Sequence, residues 1–186
     1  MTTIITHDIP KYPISHLTAV IGEIKRFRRR WVDLFLSTFE NKIDRKGRLS
    51  VPAKYRAIFE RNHTPLYLYK SLTSSCLEGC GIERISQIVD AIDQMDVLSE
   101  DTLTLQTMLS SAQEMKFDNE GRVMLSDDFI QYAELEEVAL FSGIGRSFEI
   151  WNPAHWRPRD AETRHNARNG KVPKLSFAGT HKEGNS

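Results

Sequence analysis

The sequence predicts an α+β fold built from two pseudo-repeats in one chain, with short helices and a helical pair between the repeats. Three observations carry this. The stretch from Lys42 to Pro52 returns in degraded form from Lys116 to Ser126, 74 residues later, with Asp44 on Asp118, Gly47 on Gly121 and Arg48 on Arg122. Apolar and polar residues alternate on both sides of each Asp-x-x-Gly, the period of a half-buried strand. Between the copies the apolar residues switch to spacings of three and four, the period of helices packed by one face.

Residues 1–31 carry six Lys/Arg against two acids, and their apolar stretch Ile14 to Ile24 precedes the basic cluster of Lys25, Arg26, Arg28, Arg29 and Arg30. A secretory signal has the reverse order, so export is not expected. Two readings remain for this extension. It is either a basic arm that holds DNA phosphates, or the product of a mis-assigned start, with Val32 as a GTG initiation codon and Arg28-Arg29 translated from a purine-rich ribosome-binding sequence.

The first repeat follows, residues 32–81. Asp44 and Gly47 are the turn-forming residues of a β-hairpin. The carboxylate can accept nearby backbone N–H groups, and the glycine supplies the positive φ of a tight reversal. Its tip displays Arg45, Lys46 and Arg48 together. Pro52, at a first helical position, starts a short helix to Glu60 with Tyr55, Ile58 and Phe59 on one side. Leu66 to Lys70 alternates as a strand, and Ser74 to Gly81 reads as a further strand and turn. Cys76 and Cys80 lack a His or a second Cys pair at ligand spacing, so they are expected to be structural thiols, with no metal and no disulfide framework.

Residues 82–112 are the linking helices. Ile82, Ile85, Ile88, Val89 and Ile92 form one amphipathic face; Ser99, followed by Glu100 and Asp101, caps a second helix offering Leu103, Met108, Leu109 and Ala112 for packing. The second repeat, 113–157, has Asp118 and Gly121 as turn formers, Arg122 after them, and Ser126 with Asp127 and Asp128 at a helix start. Gly143-Ile144-Gly145-Arg146 lies between two strands and opens no helix, which makes it a hairpin turn and not a phosphate loop. Residues 158–186, basic and interrupted by Pro158 and Pro173, lack sustained apolar periodicity and are expected to be a disordered tail.

The whole, 186 residues with 40% hydrophobic and 27% charged content, is of ordinary globular composition, and no apolar run approaches the roughly 18 residues of a membrane span. No membrane partner is expected, and a cytoplasmic location is. The net charge of zero hides an uneven distribution. Residues 39–61 hold seven basic and three acidic groups, whereas 77–140 hold three basic and fifteen acidic, so an anionic partner should meet the first tip and not the linker. Six scattered histidines, no nucleophile with its base and no cofactor loop leave no basis for an enzyme, and no cofactor is expected.

With its two Asp-x-x-Gly-Arg motifs in register, and with Phe148-Glu149-Ile150-Trp151 and Trp156 beyond the second, the chain resembles the MraZ family over roughly residues 34 to 157. The resemblance implies an AbrB-like β-barrel of the swapped-hairpin type, with the two halves paired inside one chain. It also implies a sequence-specific, DNA-binding transcriptional regulator on the nucleoid, acting on the promoter of the division and cell-wall gene cluster, its own included. Family members assemble into rings, so a homo-oligomer on repeated double-stranded DNA sites is implied. The tail departs from members with a longer C-terminal helix.

A two-stranded ribbon fits the major groove, where Arg grips guanine bidentately and Lys or other Arg hold phosphates. Arg48 and Arg122 are therefore the candidate base readers; Arg45, Lys46 and Lys54 are the candidate phosphate contacts. Glu120, in the place of Lys46, should weaken the second tip. Two further classes stay open. An AbrB-like antitoxin is one, against which the duplication and the linking helices count; a ring-forming interaction protein without DNA binding is the other. A structural role for both arginines, bracing their turns through Asp44 and Asp118, is the plain alternative to base reading.

Overall fold

The computed structural model describes residues 34–173. The expectations for residues 1–31 and for 174–186 lie outside the described residues. In chain order the elements are β1 (Thr38–Lys42), β2 (Arg48–Ser50), α1 (Ala53–Asn62), β3 (Leu66–Lys70), β4 (Cys76–Gly81), α2 (Ile82–Ile92) and α3 (Glu100–Ser110). Then come β5 (Gln113–Met115), β6 (Arg122–Met124), α4 (Asp127–Tyr132), β7 (Val138–Gly143), β8 (Phe148–Trp151) and α5 (Pro153–Arg168). Six strands form one antiparallel sheet in the order β1-β7-β8-β4-β3-β5; β2 and β6 form a separate two-stranded ribbon. Among the described residues no ladder joins β1 to β5, so the sheet is open.

The two copies of the motif build the same turn. Gly47 N–H donates to the Asp44 carbonyl at 2.9 Å and Asp44 N–H to the Arg48 carbonyl at 3.0 Å; the second copy repeats both bonds at 2.9 Å. Both glycines sit in the left-handed region, at φ 77° and 74°. The strands on either side of each turn then part company, which corrects the expectation of two self-contained hairpins. Beyond the turn, the single bridge Ile43 to Leu49 and a bond from the Asn41 side chain to the Ser50 carbonyl at 2.6 Å join the arms of the first among the described residues. Its outgoing arm β1 pairs with β7, and its returning arm β2 pairs with β6, the returning arm of the other repeat.

The physical reason lies in the core. Leu49 and Val51 of one arm and Val123 and Leu125 of the other are all buried, at 3% exposure or less. Pairing the two arms side by side buries both apolar rows under one ribbon, whereas a two-stranded hairpin alone is marginal in water. The ribbon is lengthened symmetrically at each end. Leu125 N–H donates to the Gly47 carbonyl at 3.0 Å and Val51 N–H to the Gly121 carbonyl at 3.2 Å, positions related by the same offset as the motif.

Tyr55 of α1 stands at the centre of the core, edge-on to Phe35 and Phe39 at 5.1 and 5.4 Å and tilted against Phe148 at 5.0 Å. Its hydroxyl donates to the Ser37 carbonyl at 2.8 Å, so the buried polar tip is satisfied, and burial pushes its ionisation up to about 12. The helix begins at Ala53, with Pro52 at its cap and not at its first position; the Pro52 carbonyl accepts from Tyr55 N–H at 2.8 Å. α4 is capped by the Ser126 hydroxyl, which accepts from Phe129 N–H at 3.3 Å.

The linking helices cover β3 and β4 through Ile85, Ile88, Met108, Leu109 and Ala112 packed on Tyr69 and Cys80. Leu103, expected in that contact, is instead 55% exposed, because Thr102 occupies the buried position, its hydroxyl bonded to the Asp96 carbonyl at 2.7 Å. Cys76 and Cys80 are free and buried, and burial raises both thiols to about 12. No helix among the described residues is long and apolar enough to cross a membrane.

The chain is helical through Arg168, where a disordered tail from 158 was expected. Asn152 caps α5 by accepting from Ala154 N–H at 2.9 Å, and Pro153 takes the first-turn place that suits it. Arg157 pairs with Glu40 at 2.8 Å, Arg159 lies 4.9 Å over the Trp151 ring, and Arg164 bonds Asp160 one turn back at 2.7 Å. Half-buried Trp156 packs on Cys76, Leu140 and Trp151, and with these polar ties it anchors a helix that has no fully buried residue and therefore no apolar period to read. Pro158 forfeits one helical bond without ending the helix.

Candidate nucleic-acid interface

In the β2–β6 ribbon, Arg48 lies opposite Met124, Leu49 opposite Val123, and Ser50 opposite Arg122. Leu49 and Val123 face the core at 0% and 1% exposure. By the two-residue period of a strand, Arg48, Ser50, Arg122 and Met124 form the outward row. The two predicted base readers are thus brought onto one face of one ribbon, at diagonally related positions. Arg45 and Lys46 are exposed at the first tip, beside Arg48. Lys54 is exposed in the first turn of α1, outside the two-stranded ribbon.

Each motif carboxylate organises its own turn. Asp44 Oδ1 accepts from the backbone N–H of Lys46 and Arg48 at 2.9 and 3.0 Å; Asp118 Oδ1 accepts from those of Glu120 and Arg122, both at 2.9 Å. The backbone N–H of Arg48 is the largest cause holding Asp44 below the usual carboxylate range. The backbone N–H of Arg122, then its guanidinium, holds Asp118 down to about 2. Both carboxylates are therefore charged at neutral pH, and each fixes the guanidinium of the arginine it faces.

The two arginines differ in what else they meet. Arg48 gives Nε and Nη2 to Asp44 Oδ2, both at 2.6 Å, and its Nη1 edge carries no ion pair among the described residues. Arg122 gives Nε to Asp118 at 2.8 Å and Nη1 to Glu120 at 2.7 Å. Both the bracing pairs and the outward placement are thus present together. A braced guanidinium with an open edge is pre-oriented to take a planar acceptor pair; one closed on both sides must first release Glu120.

Three residues of this surface were not singled out by sequence reasoning. Ser50 and Met124 complete the outward row, and alternation within each returning arm could have placed them there had the arms been paired with each other. Arg56 of α1 reaches across the repeats, donating Nη1 to the Val51 carbonyl at 2.9 Å and approaching the Gly121 carbonyl at 3.5 Å. A Cβ on Gly121 would lie 2.4 Å from the Arg56 guanidinium carbon and would displace the end of that side chain, while the φ of 74° is what calls for glycine. Among the described residues no group of three or more His, Cys, Asp or Glu is placed to hold a metal ion.

Comparison with known proteins gives a consistent picture. The family model described as "MraZ protein, putative antitoxin-like" matches residues 108–171. A Rhodospirillum rubrum protein named transcriptional regulator MraZ is 40% identical over 125 residues, 64% of this chain and 79% of that protein. Proteins of the same name from Rickettsia canadensis and Rickettsia bellii are 39% identical over 127 residues and 38% over 129, covering 85% and 86% of their lengths.

Proposed function

The chain belongs to the MraZ family, and from that premise we propose that it is a DNA-binding transcriptional regulator which reads duplex DNA with the outward face of the β2–β6 ribbon. The observation that carries this reading is the presence of Arg48 and Arg122 on one face of a ribbon to which each repeat contributes one strand. A two-stranded ribbon matches the major groove, about 12 Å wide, where Arg meets guanine O6 and N7. Arg48 reads the stronger site, Arg122 a weaker one, and Arg45, Lys46 and Lys54 hold phosphates. The two halves then act as one AbrB-like unit of the swapped-hairpin kind. Pairing of the returning arms across the repeats supports this.

The same reading places several chains, in a ring, on repeated sites in the promoter of the division and cell-wall gene cluster, with the protein in the cytoplasm on the nucleoid. Of the two arginines on the outward row, only Arg48 keeps its Nη1 edge free of an ion pair among the described residues, and linked weak contacts are the ordinary route from one module to operator-grade affinity. No catalytic step is assigned to the chain.

The test separates base reading from charge. Arg48→Ala should remove the preference for the DNA upstream of its own gene over random DNA, at about 1–3 kcal/mol per lost bidentate contact. Lys46→Ala should weaken both duplexes alike and reduce the salt slope by about 1 for each subunit engaged. If Arg48→Ala lowers the melting temperature while the folded protein keeps its preference, the arginine is only a brace and the reading is withdrawn.

A further inference from the structure

The outward row is not chemically symmetric. Residues related by the repeat offset are Arg48 and Arg122, but Ser50 and Met124, so each arginine faces a different partner across the ribbon. Arg48 is opposite Met124, whose side chain is 53% exposed, whereas Arg122 is opposite the hydroxyl of Ser50. Met124 also lies at the first tip. Its sulfur lies 3.9 Å from the position a Cβ would take on Gly47, so a residue of the second repeat rests on the first tip, beside Arg45, Lys46 and Arg48.

We propose that Met124 is a specificity-determining residue that reads the 5-methyl group of a thymine next to the base held by Arg48. This deepens the reading above and rests on it. Directly opposed residues of an antiparallel pair have Cα atoms about 4.5–5.5 Å apart, comparable with the rise of roughly 3.4 Å between successive bases of one strand. Two such side chains entering the major groove together meet the same base pair or neighbouring ones. The apolar feature displayed on the floor of that groove is the thymine methyl. An unbranched thioether adapts its three torsions to reach it, and no core packing is lost, since the inward row of Leu49, Val51, Val123 and Leu125 is already complete. Ser50, at the other corner, can donate or accept and so discriminates less.

The experiment replaces thymines by deoxyuridine, one at a time, in a duplex of the DNA upstream of the protein's own gene; this removes a methyl group and nothing else. Wild-type protein should lose about fourfold in affinity at one position, the worth of burying a single methyl. Met124→Ala should bind the unmodified duplex about fourfold more weakly and be indifferent to deoxyuridine at that position, while Met124→Leu should restore most of the effect. A wild-type protein that prefers this duplex to random DNA, yet is insensitive to every deoxyuridine, overturns the role of Met124 and leaves that of Arg48 standing. The same holds if Met124→Ala keeps the full deoxyuridine penalty. Wild-type protein with no preference for the duplex overturns this inference together with the reading it rests on.

Discussion

Glu120→Lys should turn the second tip into a copy of the first. Glu120 is 69% exposed and holds Arg122 Nη1 at 2.7 Å, occupying the guanidinium edge that its counterpart Arg48 leaves open. The substitution removes a negative charge from the tip, frees that edge and installs a cation in the place Lys46 takes in the first repeat. If the new lysine reaches one phosphate, the slope of log affinity against log salt steepens by about 0.9 per subunit engaged. Between 50 and 200 mM salt that slope corresponds to roughly a threefold to fourfold larger loss of binding per subunit, and at low salt the variant should bind more tightly than wild type. Glu120→Gln should give the part due to freeing Arg122 without the steeper slope. Fluorescence anisotropy titrations at several salt concentrations measure all of this, and thermal melts should be unaffected because the pair is screened by solvent. An affinity for DNA that is equal to or below wild type in folded Glu120→Lys would show that the second tip does not approach the duplex.

Two further predictions concern the scaffold. Gly79 lies opposite Phe148 in the β4–β8 ladder, and a Cβ there would stand 2.3 Å from the ring. Gly79→Ala should destabilise by about 1–3 kcal/mol, because Phe148 is hemmed in by Phe35, Tyr55 and Phe141; an unchanged urea midpoint would contradict the overlap. Asp118, held at about 2 against an ordinary 3.8, contributes stability that is complete above about pH 4 and lost as the pH falls through about 2. Melting temperatures of the wild type should fall across that window and Asp118→Asn should flatten the decline; parallel curves would refute the assignment.

What the sequence disclosed and what it concealed have separate physical causes. Turns and caps are decided by a few adjacent residues, so Gly47 and Gly121 at positive φ, Ser99 and Ser126 at helix starts, and β3 at Leu66–Lys70 were all legible. Alternation reports which face of a strand is buried but not which strand lies beside it. That is why β2 was assigned to its own hairpin when its ladder is with β6, and why Met124 and Ser50 were passed over. α5 escaped for another reason. It is anchored by one apolar residue, Trp156, and by polar contacts to Glu40 and Trp151, which leave no apolar rhythm in the chain.

The shared ribbon has a consequence for how such a protein lies on DNA. Two identical half-chains joined in this way would make a ribbon indistinguishable from itself after a half-turn, and it would suit a palindrome. Here covalent fusion has let the corners drift apart, with Lys46, Arg48 and Met124 at one and Glu120, Arg122 and Ser50 at the other. Such a ribbon has a head and a tail. If that face meets DNA as proposed, its site would read differently on the two strands, and a series of such sites, all pointing the same way, would align successive chains in a single direction along the duplex.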